Sequence, residues 1–276
     1  MTRHALDLPD GRRLVAHATD APSGAGPTLV WHHGSPHTGA LLPPVVAAAS
    51  ERGIRVVSYA RPSYGGSSPR LGRTVADAAA DVEAILDALG IEHAVTMGAS
   101  GGGPHALACV ALLPERLIAA VTLAGVAPYT SEFDWFAGMA APGGLRSALD
   151  GGRAGRARFA DTDEFDPSQF VDADWRALDG AWAAVGQDAQ AADANGPDGL
   201  IDDDVAFTTS WGVDLGSITR PVLVVQGEAD RVIPSSHGWW LSANLPEATL
   251  WLRPGDGHVS VLDAVPDAMD WLLERA

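Results

Sequence analysis

Short apolar runs that alternate with helical patterns constrain the fold of this chain most strongly. Runs such as TLVW, RVVSYA, AVTMG, AAVTL and VLVVQG contain few polar residues, and amphipathic segments separate most of them. A strand that is apolar along its whole length is buried on both faces, which is typical of a parallel sheet covered by helices. The pattern therefore predicts an α/β domain with a mostly parallel, doubly wound sheet. At the N-terminus, DGRRLVAHA contains a turn signal and predicts part of a hairpin instead.

The alternation stops between about residues 128 and 220, where acidic residues crowd into runs such as DTDEFDPSQF and IDDD. A long insertion between two strands of a compact domain is either a lid or a disordered loop. Its many aromatic residues favour a packed helical lid, because disordered segments contain few of them. We therefore expect a core of residues 1–127 and 221–276 and a lid of residues 128–220. We interpret the aspartate runs as a solvated face, since they do not match the spacing of a calcium-binding loop.

The charge balance excludes several classes of function. The formal net charge of −17 repels phosphate backbones and anionic lipid surfaces, so we expect no nucleic-acid partner and no membrane partner. All 18 cationic side chains are arginine, and the lack of lysine excludes Schiff-base chemistry and a P-loop. A nucleophile in this chain must therefore be activated by histidine.

Other features of the sequence predict a cytoplasmic protein. No apolar run reaches the roughly 18 residues of a membrane span, and MTRHALDLPDGRRL has no apolar segment typical of a secretory signal. The single cysteine, Cys109, excludes an internal disulfide and fits a reducing compartment. Because Cys109 lies in an apolar run, we expect a buried side chain rather than a reactive thiol.

One serine lies among four glycines in TMGASGGGP, between a predicted strand and a predicted helix. Ligands of an open parallel sheet bind at the carboxyl ends of its strands, and Ser100 occupies such an end. A sharp strand-to-helix turn leaves no room for bulky neighbours, which explains the glycines at 98 and 102. The following helix directs its N-terminus at the site and favours developing negative charge there. The sequence therefore predicts a nucleophile elbow with Ser100 as the nucleophile.

A serine hydroxyl needs a histidine base and an acid that orients the histidine. Asp230 follows the strand VLVVQG, and His258 follows the last predicted strand among small residues. The order Ser100, Asp230, His258 along the chain is the order expected with an elbow of this kind. We favour Asp230 over three nearby acids, which lie closer to the strand, in a turn or on a helix. These competing acids are Glu228, Asp256 and Asp263.

The loop after the third predicted strand, WHHGSPHTG, predicts an oxyanion hole. It can present the backbone N–H of Ser35 toward the nucleophile, and the second donor is the N–H of Gly101, which follows Ser100 directly. His32 and His33 in the same segment suggest a metal pair, but no third ligand has suitable spacing. We therefore expect neither a metal nor a cofactor.

At these motifs the chain resembles the α/β-hydrolase superfamily over nearly its whole length, in the branch with a serine nucleophile. The motifs are HGSP at 33–36, RPSYGGS at 61–67, GASGG at 98–102, GEAD at 227–230 and GH at 257–258. The HGSP loop is similar to that of haloperoxidase-like esterases and proline iminopeptidases. The resemblance implies a sheet of about eight strands with the helical lid inserted after strand six.

The resemblance implies an enzyme, and we expect a serine hydrolase that cleaves a carboxylic ester through an acyl-enzyme at Ser100. The aromatic residues of the predicted lid suggest an apolar small-molecule substrate of small to medium size. We expect Trp211, Phe133 and Trp135 to contact this substrate and to set its preferred chain length.

Two alternatives to an esterase stay open. One is an aminopeptidase of the proline iminopeptidase type, in which a lid carboxylate, Glu132 or Glu164, binds the substrate amine. The other is a non-catalytic receptor that holds a ligand beneath the lid of a hydrolase fold. From the sequence we make no prediction of the oligomeric state.

Overall fold

The computed structural model describes residues 1–21 and 26–275 of the 276-residue chain. The strands are β1 (Thr2–Asp7), β2 (Arg13–Ala18), β3 (Thr28–His32), β4 (Arg55–Ala60), β5 (Ala94–Ala99), β6 (Leu117–Leu123), β7 (Val222–Gly227) and β8 (Ala248–Arg253). The α-helices are α1 (Pro43–Glu51), α2 (Ala78–Ala88), α3 (Gly102–Leu112), α4 (Gly143–Ala160), α5 (Asp172–Asp179), α6 (Ala183–Asp193), α7 (Asp198–Thr208), α8 (Ser235–Asn244) and α9 (Val265–Leu273). Short 3₁₀ turns span Val75–Asp77, Pro167–Gln169, Leu215–Ser217 and Ser260–Ala264.

The strands form one sheet with the order β1-β2-β4-β3-β5-β6-β7-β8. The pairs β1–β2 and β2–β4 are antiparallel, and every other pair of neighbours is parallel. The predicted mostly parallel sheet and the N-terminal hairpin are therefore confirmed. Because β3 to β8 run parallel, their carboxyl ends meet at one edge of the sheet, where the loops that carry the candidate residues lie.

Both faces of the sheet are covered, as the apolar strands predict. Along β3, Val30 packs into the core beneath α2 and α3, whereas Leu29 and Trp31 pack into the core beneath α1 and α9. Strands β3, β5 and β7 are buried at every position. Cys109 is buried in the first of these cores and has no disulfide partner.

Between β6 and β7 the chain leaves the sheet and forms helices α4 to α7, which we call the insertion (residues 128–220). Helices α4 and α7 pack against each other, and α4 changes direction at Gly152, where φ is 55°. The insertion contacts the loops at the carboxyl ends of the strands through side chains of α5, α6 and α7. Among the helices of the described residues, none is both long enough and apolar enough to cross a membrane.

Candidate active site

Ser100 occupies a sharp turn between the end of β5 and the start of α3. Its φ is 51°, a left-handed conformation that costs a non-glycine residue on the order of 1–3 kcal/mol. The turn is held by hydrogen bonds from Ser100 N to Leu123 O, at 2.8 Å, and from Gly103 N to Ser100 O, at 2.9 Å. A methyl group at position 98 would collide with the carbonyl group of Gly102, which explains why glycine stands there.

A continuous chain of hydrogen bonds joins Ser100, His258 and Asp230. His258 Nε2 lies 2.9 Å from Ser100 Oγ, and His258 Nδ1 lies 2.9 Å from Asp230 Oδ2. With Nδ1–H donating to the carboxylate, the lone pair of Nε2 faces the serine hydroxyl. This tautomer can accept the proton of Ser100.

Asp230 is held rigidly behind the histidine and is only 5% exposed. Its Oδ1 accepts hydrogen bonds from Val232 N at 2.8 Å and Ile233 N at 2.9 Å, and Gln226 Nε2 lies 3.2 Å from Oδ2. The competing acids have other partners or surroundings. Glu228 is exposed, Asp256 pairs with Arg253, and Asp263 accepts a hydrogen bond from Trp182.

Burial and nearby carboxylates have opposite effects on the pKa of His258. Burial lowers the pKa, whereas the carboxylate of Asp230 and, less strongly, that of Asp174 raise it. The net direction is upward from the ordinary value. The imidazolium form, which a base reaches after it takes a proton, is therefore stabilised here.

Ser35 and Gly101 lie beside Ser100 and line the same cavity. Within residues 1–21 and 26–275, neither the N–H of Ser35 nor that of Gly101 donates a hydrogen bond to the protein. Arg61 anchors the loop that carries Ser35. Its Nη1 donates a hydrogen bond to His33 O at 2.5 Å, and its Nη2 donates one to Gly34 O at 3.2 Å. The two N–H groups are thus available to a ligand at the serine.

A buried carboxylate of the insertion supports this loop. Asp203, on α7, is 0% exposed and accepts hydrogen bonds from Ser35 Oγ and from Tyr64 OH. Arg61 Nη2 lies 2.6 Å from Asp203 Oδ2, and Arg73 Nη2 lies 2.5 Å from Oδ1. Although burial alone raises the pKa of Asp203, these two guanidinium groups hold it well below its usual range. Asp203 is therefore ionised and links the insertion to the loop of Ser35.

Two cavities meet at Ser100. The first, of about 560 Å³, lies between the core and helices α5 and α6, and most of its lining is apolar, including Leu42, Val185 and Leu262. The second, of about 570 Å³, faces α4 and α7 and carries several carboxylates. Residues that line both cavities are Ser35, Pro36, Ser100, Phe165, Gln169, Asp193 and Val232.

Two carboxylates of the second cavity contact one buried cation. Arg156 Nε lies 2.5 Å from Asp204 Oδ2, and Arg156 Nη2 lies 3.3 Å from Asp163 Oδ2. Burial raises the pKa of Asp204 to about 6, although Arg156 opposes that shift. Glu164 lines this cavity as well. Five carboxyl groups line this cavity, so it is more acidic than the first, whose described lining contains only that of Asp193.

The three aromatic residues that we expected at the substrate line neither of the two cavities at Ser100. Trp211 is buried and its Nε1 donates to Phe207 O, and Trp135 donates to Ala127 O. Phe133 stacks on Trp240 with ring centroids 6.3 Å apart. All three pack onto the hydrophobic core of the sheet. The insertion aromatics that do line the first cavity are Phe165, Phe170 and Trp175.

The prediction that the aspartate runs form a solvated face is wrong for the run IDDD. Asp202, Asp203 and Asp204 are all buried, and each is paired with an arginine. The apolar residues on both sides of this run, in GLIDDDVAF, are the signal that indicates a buried helix. Within the described residues, no group of three or more His, Cys, Asp or Glu side chains is arranged to hold a metal ion.

Comparisons with known proteins agree with this architecture. A family model described as the alpha/beta hydrolase fold matches residues 27–265. A putative non-heme chloroperoxidase of Synechocystis is 26% identical over 90% of this chain and 87% of its own length. A pimeloyl-[acyl-carrier protein] methyl ester esterase of Aromatoleum aromaticum is 31% identical over 87% of this chain and 94% of its own. The crystal structure of a bromoperoxidase from Bacillus anthracis superposes with a TM-score of 0.77 at 23% identity, covering 99% of this chain and 100% of its own.

Proposed function

Because the chain belongs to the alpha/beta hydrolase fold family, we propose that it is a serine hydrolase that cleaves a carboxylic ester of a small to medium apolar molecule. The observation that carries the proposal is the chain of 2.9 Å hydrogen bonds from Asp230 through His258 to Ser100, beside an apolar cavity of about 560 Å³. The similarity to an esterase over most of both chains supports the same reaction class.

In the proposed reaction, His258 Nε2 accepts the proton of Ser100 while Oγ attacks the carbonyl carbon of the ester. The N–H groups of Ser35 and Gly101 stabilise the negative charge that develops on the carbonyl oxygen, and loss of one such donor typically costs about 3–4 kcal/mol. The bond to the alcohol then breaks, and His258 returns the proton to the departing oxygen. A water molecule activated by His258 attacks the acyl-enzyme, which releases the acid and restores Ser100.

We further propose that the insertion acts as a lid and that the first cavity receives the apolar part of the substrate. Helices α5 and α6 contribute Trp175, Leu178 and Val185 to its lining. Each methylene group that is buried contributes about 0.8 kcal/mol to the free energy of binding, so a cavity of this size favours substrates with several carbons. The division into a core and a lid, and the cytoplasmic location, stay predictions from the sequence.

A panel of p-nitrophenyl esters from acetate to octanoate tests this function, with aminoacyl anilides assayed beside it. We expect ester turnover and labelling of Ser100 by a fluorophosphonate probe. Ser100→Ala should lose nearly all turnover and all labelling but fold normally, with a residual rate of about 10³ to 10⁴ over water. Ser50→Ala, at an exposed position on α1, is the matched control. Labelling at another serine would contradict the assignment.

The acidic cavity supports a second candidate, an aminopeptidase that binds a substrate amine. Glu164 lines this cavity next to Ser100, whereas Glu132 accepts a hydrogen bond from Trp240 Nε1 at 2.7 Å and lies outside the cavity. Turnover of aminoacyl anilides without turnover of esters would favour this candidate, and Glu164→Gln should then raise KM. The absence of both turnover and labelling would favour the non-catalytic receptor.

A further inference from the structure

The loop that carries His258 is bound by a carboxylate from the insertion. Asp174, in the first turn of α5, is 0% exposed. Its Oδ1 accepts hydrogen bonds from Val259 N at 2.8 Å, from Ser260 N at 2.8 Å and from Ser260 Oγ at 2.9 Å. Its Oδ2 accepts from His258 N at 3.2 Å. Asp174 itself does not line the cavities at Ser100, although its neighbour Trp175 and its partner residue Val259 line the first one.

Glycine at position 257 is explained by this same contact. A methyl group on Gly257 would collide with Asp174, and its nearest neighbours would be Oδ2, Cγ and Oδ1 of that side chain. The backbone of Gly257 does not have a left-handed φ, so its conformation alone does not require glycine. The glycine before the histidine is therefore needed for the close approach of the carboxylate.

Asp174 differs from the buried carboxylates of α7, because its partners are backbone N–H groups and a hydroxyl rather than a guanidinium group. Among the described residues no arginine lies within ion-pair distance of it. Its negative charge is thus felt by the imidazole of His258. The charged groups that face His258 are Asp230, after β7, and Asp174, on α5.

We propose that Asp174 is a positioning residue for His258: it fixes the backbone of the histidine loop, while Asp230 fixes the imidazole ring. This proposal rests on the proposed role of His258 as the base. The loop follows β8, and Asp174 anchors its backbone at His258, Val259 and Ser260 from a helix of the insertion that is 85 residues away from Val259 along the chain. Asp174 would in this way contribute to catalysis without touching the substrate.

The test compares Asp174→Asn with Asp172→Asn, which removes the same charge from an exposed position in the same helical turn. The first readout is the pKa of His258, measured by NMR titration. The second is the rate at which a fluorophosphonate inactivates the protein, measured as a function of pH. Neither readout requires that an ester substrate is known.

For Asp174→Asn we expect the pKa of His258 to fall, because the imidazolium loses a negative neighbour. The midpoint of the inactivation profile should shift to lower pH, and its plateau should fall by up to about 10²-fold, as expected for a displaced catalytic group. Asp172→Asn should change neither quantity. A role limited to stability would lower the melting temperature and leave the midpoint unchanged, which would overturn the proposal.

Gly257→Ala provides a second variant that does not depend on the charge. Alone, it should lower the inactivation rate, because the added methyl group displaces either the carboxylate or the histidine loop. In the Asp174→Ala background the colliding atoms are absent, so the added methyl group should have little further effect. Additive losses in the double variant would refute the proposed contact. If the wild type labels at Ser100 but hydrolyses no ester, the proposed function fails while this proposal remains testable.

Discussion

Replacing Asp203 by asparagine should destabilise the protein far more than an equivalent change at the surface. The carboxylate of Asp203 lies between the guanidinium groups of Arg61 and Arg73, which are themselves almost fully buried. Asp203→Asn keeps the size of the side chain but leaves two buried cations without their shared anion. Water cannot compensate for this loss, because the carboxylate and both guanidinium groups are shielded from solvent.

The size of the effect follows from burial. Removing one partner from a buried ion pair costs about 3–5 kcal/mol, because the remaining charge stays unpaired. The matched control is Asp198→Asn on the same helix, where Asp198 and its partner Arg153 are 68% and 39% exposed. Exposed pairs contribute about 0.2–1 kcal/mol. We therefore expect the two variants to differ by at least about 2 kcal/mol in the free energy of unfolding.

Equilibrium unfolding in urea, followed by tryptophan fluorescence, measures this difference directly. The native-state pKa of Asp203 is held below its usual range, so its ionisation stabilises the fold above the usual aspartate pKa. That stabilisation is lost as the pH falls through the lower native-state pKa. In Asp203→Asn, the free energy of unfolding should therefore depend less on pH in the acid range. Equal losses of stability in the two variants would refute the assignment of Asp203 as a buried anion shared by two arginines.

Three further results are expected. Activity should rise with pH through an apparent pKa above the ordinary histidine value of about 6.5, because His258 must be neutral to act as a base and its pKa is raised; a midpoint below that value would contradict the assigned surroundings. Asp230→Asn should lower kcat much more than it raises KM, since it alters the tautomer and the imidazolium rather than substrate binding; an unchanged kcat in steady-state assays would exclude Asp230 as the orienting acid. Gly186→Leu, which fills the first cavity near Leu178, should lower kcat/KM for octanoate esters relative to acetate esters, whereas Ala191→Leu on the exposed face of α6 should not; equal effects on both esters would place the acyl chain elsewhere.

The fold could be predicted from the sequence because its signals are local. Strands such as β3 and β7 are buried on both faces, and this requirement makes their sequences apolar throughout. The candidate residues Ser100, Asp230 and His258 could be located for a related reason. Each follows a recognisable strand, and parallel strands bring their carboxyl ends together.

The parts that could not be predicted depend on contacts between distant segments. An aromatic residue in the insertion serves equally well in a core or in a pocket wall, so Trp211 and Phe165 could not be distinguished by composition. Likewise, the apolar residues around the aspartates at 202–204 indicate a buried helix, but they do not identify the arginines that pair with these aspartates. Those arginines lie on distant segments or on another helix, as Arg61 and Arg156 show.

Three helices of the insertion each place one aspartate on a loop of the core, two of them on the loop after β3 and one on the loop after β8. Asp203 bonds with Ser35 across 168 residues of chain, Asp188 with Thr38 across 150, and Asp174 with Ser260 across 86. Contacts between such distant segments form slowly, because the entropy of the long intervening chain is lost before the contact stabilises the fold. Strands β1 to β6 pair across shorter stretches of chain, so this part of the sheet can be largely complete while the loops around Ser100 are still unconstrained. During refolding, the reactivity of Ser100 toward a fluorophosphonate should consequently return later than the native fluorescence of Trp31, the buried tryptophan of β3.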